Sequence, residues 1–244
     1  MELDEYRRMA AAGERHWWYR STRQLLEGLI DPHLPARDAT TLYLDAAGGS
    51  GATGCWLAER AVTALVDIEP EALTVAARRW SGYRSIQSDI GHLPHPDDVF
   101  DASLCVTALC HELVPDPAAV VAEFTRVTKP GGIVCLMEPG VRRLRRGHDV
   151  VTHSARRFSV GDLRELVVGA GLEPIRATGA YSFLIPPAVA MALFERGDAH
   201  SDVGRNESGL GGLLGALAAV ERRALRRVDL PFGLSVLALG RKPS

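Results

Sequence analysis

The chain is poor in the features that mark secreted, membrane-spanning and nucleic-acid-binding proteins. No uncharged apolar stretch reaches the ~18 residues that a bilayer span needs, and the longest candidate, 180–194, contains Pro186-Pro187. That argues against stable membrane insertion. Only 4 cysteines occur in 244 residues, at 55, 105, 110 and 135, with no C-x-x-C and no histidine at metal spacing. They read as reduced, buried small hydrophobes of a cytoplasmic protein, and no metal site is expected. The opening MELDEYRRMAAAGERHWWYR is charged and lacks the apolar stretch of a secretory signal. A formal net charge of −2 gives no bias toward nucleic acid. Repeats and low-complexity segments are missing. What is present, 46% apolar and 24% charged residues, is an ordinary globular mixture long enough for one domain with a sizeable core.

Apolar runs alternate with helical patterns. Strands are predicted at Thr41–Ala46, Val62–Ile68, Tyr83–Ser88, Val99–Thr107, Ile133–Met137, Leu172–Thr178 and Leu234–Leu239. Helices are predicted over 15–31, from the glycine turn to about Arg60, over 69–80, 116–128, from Ser159 to about 169–171, and over 184–196 and 210–228. Lys129-Pro130-Gly131-Gly132 reads as a turn before the fifth strand. Strands that are apolar throughout, separated by helices, signal a parallel sheet covered on both faces. Such sheets bind ligands beyond the carboxyl ends of their strands.

One such end carries LYLDAAGGSGATG at 42–54, in which Gly49-Ser50-Gly51-Ala52-Thr53-Gly54 satisfies the dinucleotide pattern G-x-G-x-x-G. A pyrophosphate would use the turn's amides and the following helix N-terminus. Asp45, immediately before the loop, would repel it. The acid favours a ligand without phosphates and with a cationic group, and S-adenosylmethionine meets that description. Its carboxylate suits loop amides. Its ammonium suits strand-end carbonyls and, directly or through water, Asp45. Asp67 at the end of the second strand is placed for ribose hydroxyls, a role shared with NAD proteins.

At these residues the chain resembles the class I methyltransferases that use S-adenosylmethionine. Their first motif, acid-x-Gly-x-Gly-x-Gly, is matched by Asp45-Ala46-Ala47-Gly48-Gly49-Ser50-Gly51, with Ala47 replacing the first glycine. Asp67 matches the acid of the second motif. Ser88-Asp89-Ile90 followed by Leu93-Pro94 is similar to the adenine-side segment, and Arg126-Val127-Thr128-Lys129-Pro130-Gly131-Gly132 to the turn before the fifth strand. The resemblance covers about 40–140 well. It implies a Rossmann-like α/β fold: a seven-stranded, mostly parallel sheet with an antiparallel last strand and helices on both faces. It also implies S-adenosyl-L-methionine as cofactor, held by Asp45, Ala47, Gly48, Gly49, Gly51, Asp67, Ile68, Asp89, Ile90 and Thr107. Asp89 would lie near the adenine amine and Ile90 against its ring.

The flanks resemble a narrower branch of bacterial small-molecule methyltransferases. It is marked by His16-Trp17-Trp18-Tyr19-Arg20, by His148-Asp149 with His153-Ser154-Ala155-Arg156-Arg157-Phe158, and by Pro231-Phe232-Gly233-Leu234-Ser235. The expected layout is a single domain, with a helical cap over 1–38 and the cofactor core over 40–140. A substrate lid with apolar helices covers 141–230, and the last strand 231–244. Trp17, Trp18 and Tyr19 are expected as a wall over the cofactor, with Arg20 or Arg23 paired to its carboxylate; packing the first helix on the sheet is the plainer role.

Methyl transfer is an in-line displacement, so the protein mainly positions the acceptor and excludes water, adding a base where oxygen or nitrogen is the acceptor. His111, after the fourth strand, is a candidate base or orienting group; capping the next helix is the alternative. His148 and His153 are candidates on a loop over the pocket, with Asp149 to orient an imidazole and Arg156 and Arg157 to grip an anionic group or to form a salt-bridged lid. Glu138 faces the pocket with an open role, and Glu112 reads as solvated. Arg142-Arg143-Leu144-Arg145-Arg146 reads as a solvated basic run, and Arg222, Arg223, Arg226 and Arg227 as one exposed face. The apolar segments 181–194 and 210–219 are expected as an acceptor wall or a homodimer interface. The reading is methylation of a small molecule with an apolar part, a natural-product or lipid-like compound, with oxygen favoured. The alternatives are an NAD-dependent oxidoreductase and a non-catalytic protein that binds S-adenosylmethionine.

Overall fold

The computed structural model describes residues 16–144, 147–194 and 210–244. The first part of the expected helical cap, Arg145-Arg146 of the basic run and the end of the helix predicted over 184–196 lie outside these residues.

Seven strands form one sheet in the order β3-β2-β1-β4-β5-β7-β6. They are β1 Leu42–Ala46, β2 Val62–Asp67, β3 Tyr83–Gln87, β4 Phe100–Val106, β5 Thr128–Pro139, β6 Glu173–Ala180 and β7 Ser235–Arg241. β1 through β5 pair in parallel, and β7 runs antiparallel to both β5 and β6. This is the architecture that the resemblance implies. The central strands are buried along nearly their whole length, as apolar runs in a covered sheet require. The edge strand β3 departs from the pattern, exposing Arg84, Ser85 and Gln87, which suits a strand with one unpaired side.

The helices are α1 Trp17–Ile30, α2 Cys55–Ala58, α3 Pro70–Arg79, α4 Pro117–Val127, α5 Gly147–Val151, α6 Val160–Gly169, α7 Ile185–Phe194 and α8 Gly211–Leu225. Their starts follow local chemistry. Glu69 and Asp116 cap α3 and α4 through their carboxylates, each with proline in the first turn. Ser159 and Asp162 close a reciprocal capping box on α6.

Three expectations are corrected. The helix after the glycine turn is a single turn, α2, rather than reaching Arg60. Turn hydrogen bonds from Arg60 and Ala61 N–H to the Leu57 carbonyl then carry the chain out of the helix toward β2. Residues 129–132 are looped out within β5: Thr128 pairs with Phe100 and Ile133 with Ala102, so strand pairing begins before the predicted turn. Residues 147–151, expected as loop, form α5.

Two apolar layers cover the sheet. One contains Phe124, Val121, Leu109 and Leu163 against β1, β4 and β5. The other packs Leu25, Leu26, Leu29 and Trp56 against the opposite face.

Candidate active site

The loop between β1 and α2 is built over a buried acid. Asp45 ends β1 at 1% exposure, and its carboxylate accepts the Tyr83 hydroxyl at 2.5 Å. Gly48 and Gly54 lie directly on it: a Cβ on Gly48 would stand 2.6 Å from its carboxyl carbon, and one on Gly54 2.1 Å from Oδ2. Burial raises the Asp45 carboxyl to about 7, against the opposing pull of the Tyr83 hydrogen bond. The acid is thus closed off beneath the loop, which leaves an indirect route to a ligand above it.

Asp67, at the end of β2, ties the loop to the neighbouring strand. Its Oδ2 accepts Gly49 N–H at 2.8 Å and its Oδ1 accepts Glu69 N–H at 2.9 Å. Burial raises this carboxyl too, opposed by those amides. Ala47, Gly49 and Gly51 hold positive φ angles of 53°, 56° and 76°. A Cβ on Gly49 would meet nothing within 4 Å, so the loop presents open space there. Ile68, next after Asp67, is 54% exposed at the sheet's carboxyl end, while Ile90 is buried. Asp89 is exposed, with Oδ1 accepting Gly91 N–H at 2.7 Å.

The segment after β4 is held by a second buried acid. Glu138, fully buried near the end of β5, accepts Ala108 N–H at 3.1 Å, Leu109 N–H at 2.9 Å and Cys110 N–H at 3.1 Å. Burial raises this carboxyl to about 7, partly offset by the amides. Thr107, exposed and with φ 54°, begins this segment. Glu138 thereby fixes the backbone that carries Thr107 and His111.

Residues 149–158 dock on the same segment. Ala155 N–H donates to the Cys110 carbonyl at 2.8 Å, and Glu112 N–H to the His153 carbonyl at 3.0 Å. Arg156 donates to the carbonyls of Leu109 and Val114. Arg157 pairs with Asp149 through two bonds, at 2.7 and 3.2 Å, and both side chains are nearly buried. The two arginines therefore fasten residues 149–158 to the rest of the protein, the salt-bridged alternative to gripping an anionic group. Asp149 is engaged with Arg157.

The histidines divide by hydrogen bonding. His111 and His153 stack with ring centroids 5.9 Å apart. His111 Nδ1 accepts Leu113 N–H at 3.1 Å, so the neutral ring carries its proton on Nε2 and acts there as a donor. Burial, then the facing His153, holds its pKa below the ordinary value. His153 Nδ1 lies 2.7 Å from Glu112 Oε1, which leaves Nε2 as the basic nitrogen of a carboxylate-oriented imidazole. The carboxylate partner is thus Glu112, which is exposed as expected and meets His153 from the surface. That bond in turn holds the Glu112 carboxyl below its usual range. His148 lies on α5, and its side chain is outside the described residues.

Tyr19 packs on Ala52 of the glycine loop, with Trp18 against both. Trp17 meets Tyr181 edge-on at 6.1 Å. Arg20 is exposed, and Arg23 donates to Cys55 Sγ at 3.1 Å. Among the described residues no group of three or more His, Cys, Asp or Glu is arranged for a metal, and no helix is long and apolar enough to cross a membrane. Tyr83 had no signal in the sequence, because nothing local links an edge-strand tyrosine to Asp45.

The donor set fits S-adenosylmethionine. The open space above Gly49 suits its carboxylate, and exposed Ile68 suits a flat apolar ring. Residues 44–136 match the family described as a methyltransferase domain. The chain is 38% identical over 93 residues to malonyl-[acyl-carrier protein] O-methyltransferase of Serratia marcescens, a match spanning 37% of this chain and 35% of that protein. The chain thus covers well under half the length of this curated relative. A Haloferax volcanii structure of a complex with the Trm112 methyltransferase activator superposes with TM-score 0.65 at 20% identity, over 100% of this chain and 96% of that one. Geranyl diphosphate C-methyltransferase of Streptomyces coelicolor, solved with S-adenosyl-L-homocysteine, superposes with TM-score 0.58 at 14% identity, over 88% and 77%.

Proposed function

We propose that the protein, with a methyltransferase domain at 44–136, transfers a methyl group to a small-molecule acceptor that has an apolar part, with oxygen as the favoured acceptor atom. S-adenosyl-L-methionine is the cofactor, and when bound it supplies an electrophilic methyl on a sulfonium. The observation that carries the reading is the glycine loop, closed over Asp45 and tied to Asp67 through Gly49 N–H.

In this reading the glycine loop, open above Gly49, holds the cofactor's carboxylate. Asp67, with a lone pair left beyond its amide bonds, takes the ribose hydroxyls. Ile68 and Ile90 flank the adenine, and Asp89 meets its amine. Thr107 lines the methyl side, while Trp18 and Arg20 close the entrance. His153, oriented by Glu112, takes the acceptor's proton at Nε2. His111 orients the acceptor as a donor, and His148 completes the catalytic set. Preference for oxygen rests on the oriented imidazole and agrees with the O-methyl activity in the name of the Serratia relative; the Streptomyces neighbour's name gives geranyl diphosphate, a compound with an apolar chain. α7 and the inner side of α8, with Leu214 and Ala218, supply the apolar acceptor wall.

Calorimetric titration with S-adenosylhomocysteine, with NAD and NADH alongside, tests the cofactor. Saturable binding to the homocysteine compound alone is expected. Asp67→Ala should weaken it about tenfold or more, the scale of a hydrogen bond to a charged group. Binding to NAD instead would overturn the reading. With an acceptor in hand, His153→Ala and Glu112→Gln should lower kcat while cofactor affinity holds; a non-catalytic binder would show no turnover to lose.

A further inference from the structure

The amphipathicity of α8 is reversed. Leu213, Leu217 and Val220 are 56%, 41% and 70% exposed. Ala216 and Ala224 are exposed as well. At 3.6 residues per turn these positions form one stripe along the helix. The acid of the helix, Glu221, turns the other way, its Oε1 accepting Ser182 N–H at 2.9 Å and the Ser182 hydroxyl at 2.5 Å. Ala218 and Leu225 are buried on that inner side. A helix of a globular protein normally buries its leucines and exposes its glutamate.

The stripe continues into Arg223 and Arg227, both exposed, with exposed Arg226 beside them. No other acid lies in α8, and nearby Asp229 is paired with Arg176. The outer face is therefore apolar over its first three turns and purely cationic at its end. Leu210, just before the helix, adds a further exposed apolar side chain.

We propose that this face of α8 docks in the plane of an anionic lipid surface. Leu213, Leu217 and Val220 enter the boundary between headgroups and acyl chains, and Arg223 and Arg227 reach the lipid phosphates. In-plane helices of this kind combine an apolar stripe with arginines and need no spanning length. Charge selects the occupant. A second copy of the chain would cover the leucines but bring arginines and no acid to the arginines. Three large side chains also fall far short of the roughly 800 Å² per partner of a stable interface. An anionic bilayer satisfies both parts of the stripe.

The test is co-sedimentation of the full chain with vesicles of phosphatidylcholine alone and of phosphatidylcholine mixed with phosphatidylglycerol. Binding to the mixed vesicles, weakened by salt, is expected. Leu213→Ser with Leu217→Ser should lower the partition coefficient about tenfold or more. Arg223→Ser with Arg227→Ser should lower it by about fivefold per arginine, and the corresponding Arg→Lys pair should retain binding. Unchanged melting temperature and S-adenosylhomocysteine affinity in these surface variants show that the fold is intact. The proposal is overturned if the unaltered chain ignores anionic vesicles. It is equally overturned if binding follows Arg142→Ser with Arg143→Ser and not the α8 variants, or if light scattering shows a dimer that Leu217→Glu dissociates.

Discussion

Ala47 occupies a left-handed backbone position, φ 53°, at the first turn of the loop. A side chain there costs roughly 1 kcal/mol relative to glycine. Ala47→Gly should therefore stabilise the protein by up to about 1 kcal/mol, less what the more flexible unfolded chain takes back, read as a raised urea midpoint. Tyr83→Phe has the opposite sign. It removes the donor that satisfies buried Asp45, with an expected loss of about 1–3 kcal/mol in the same measurement. At this scale the sequence exposed one partner of each pair. Asp45 was visible as an acid before glycines, but its tyrosine lies 38 residues away and only strand order brings them together.

Residues 149–158, the proposed lid, work as an element rather than as single residues. Its backbone pairs with the segment after β4, and the buried Arg157–Asp149 pair locks its two ends. Removing one partner of such a pair strands the other charge. Arg157→Ala should cost about 3–5 kcal/mol, and Arg157→Lys should recover only part of it, because lysine cannot make both parallel bonds. Chemical denaturation of the two variants checks both. The same docking sets the stacking of His111 on His153, so a loosened lid should also depress kcat. The histidine motif was legible in the sequence. Which histidine received a carboxylate was not, because Glu112 and His153 are 41 residues apart and meet only through the docked lid.

Across the whole molecule, two carboxyls at the sheet's carboxyl end, Asp45 and Glu138, stand near 7 because burial opposes their charge. The folded chain then keeps protons that the unfolded chain has released. Their contribution to stability is full below the ordinary values of 3.8 and 4.5 and is lost as pH rises toward about 7. The loss is on the order of 3–4 kcal/mol per carboxyl. Urea unfolding at a series of pH values should show Glu138→Gln with a shallower decline over that window than the unaltered chain.

The sequence by itself determined the parallel-sheet framework, the glycine loop and the position of Asp45 and Asp67 at strand ends. These depend on apolar runs, turn residues and neighbours within a few positions, where local sterics and burial act directly. The tertiary structure alone decided that Asp45 is sealed by Tyr83, that Glu138 holds three amides 28–30 residues away, and that Glu112 serves His153. It also decided that α8 turns Leu213, Leu217 and Val220 outward. Each of these depends on which elements lie side by side. Helical spacing shows that a stripe exists, but only packing determines which way it faces.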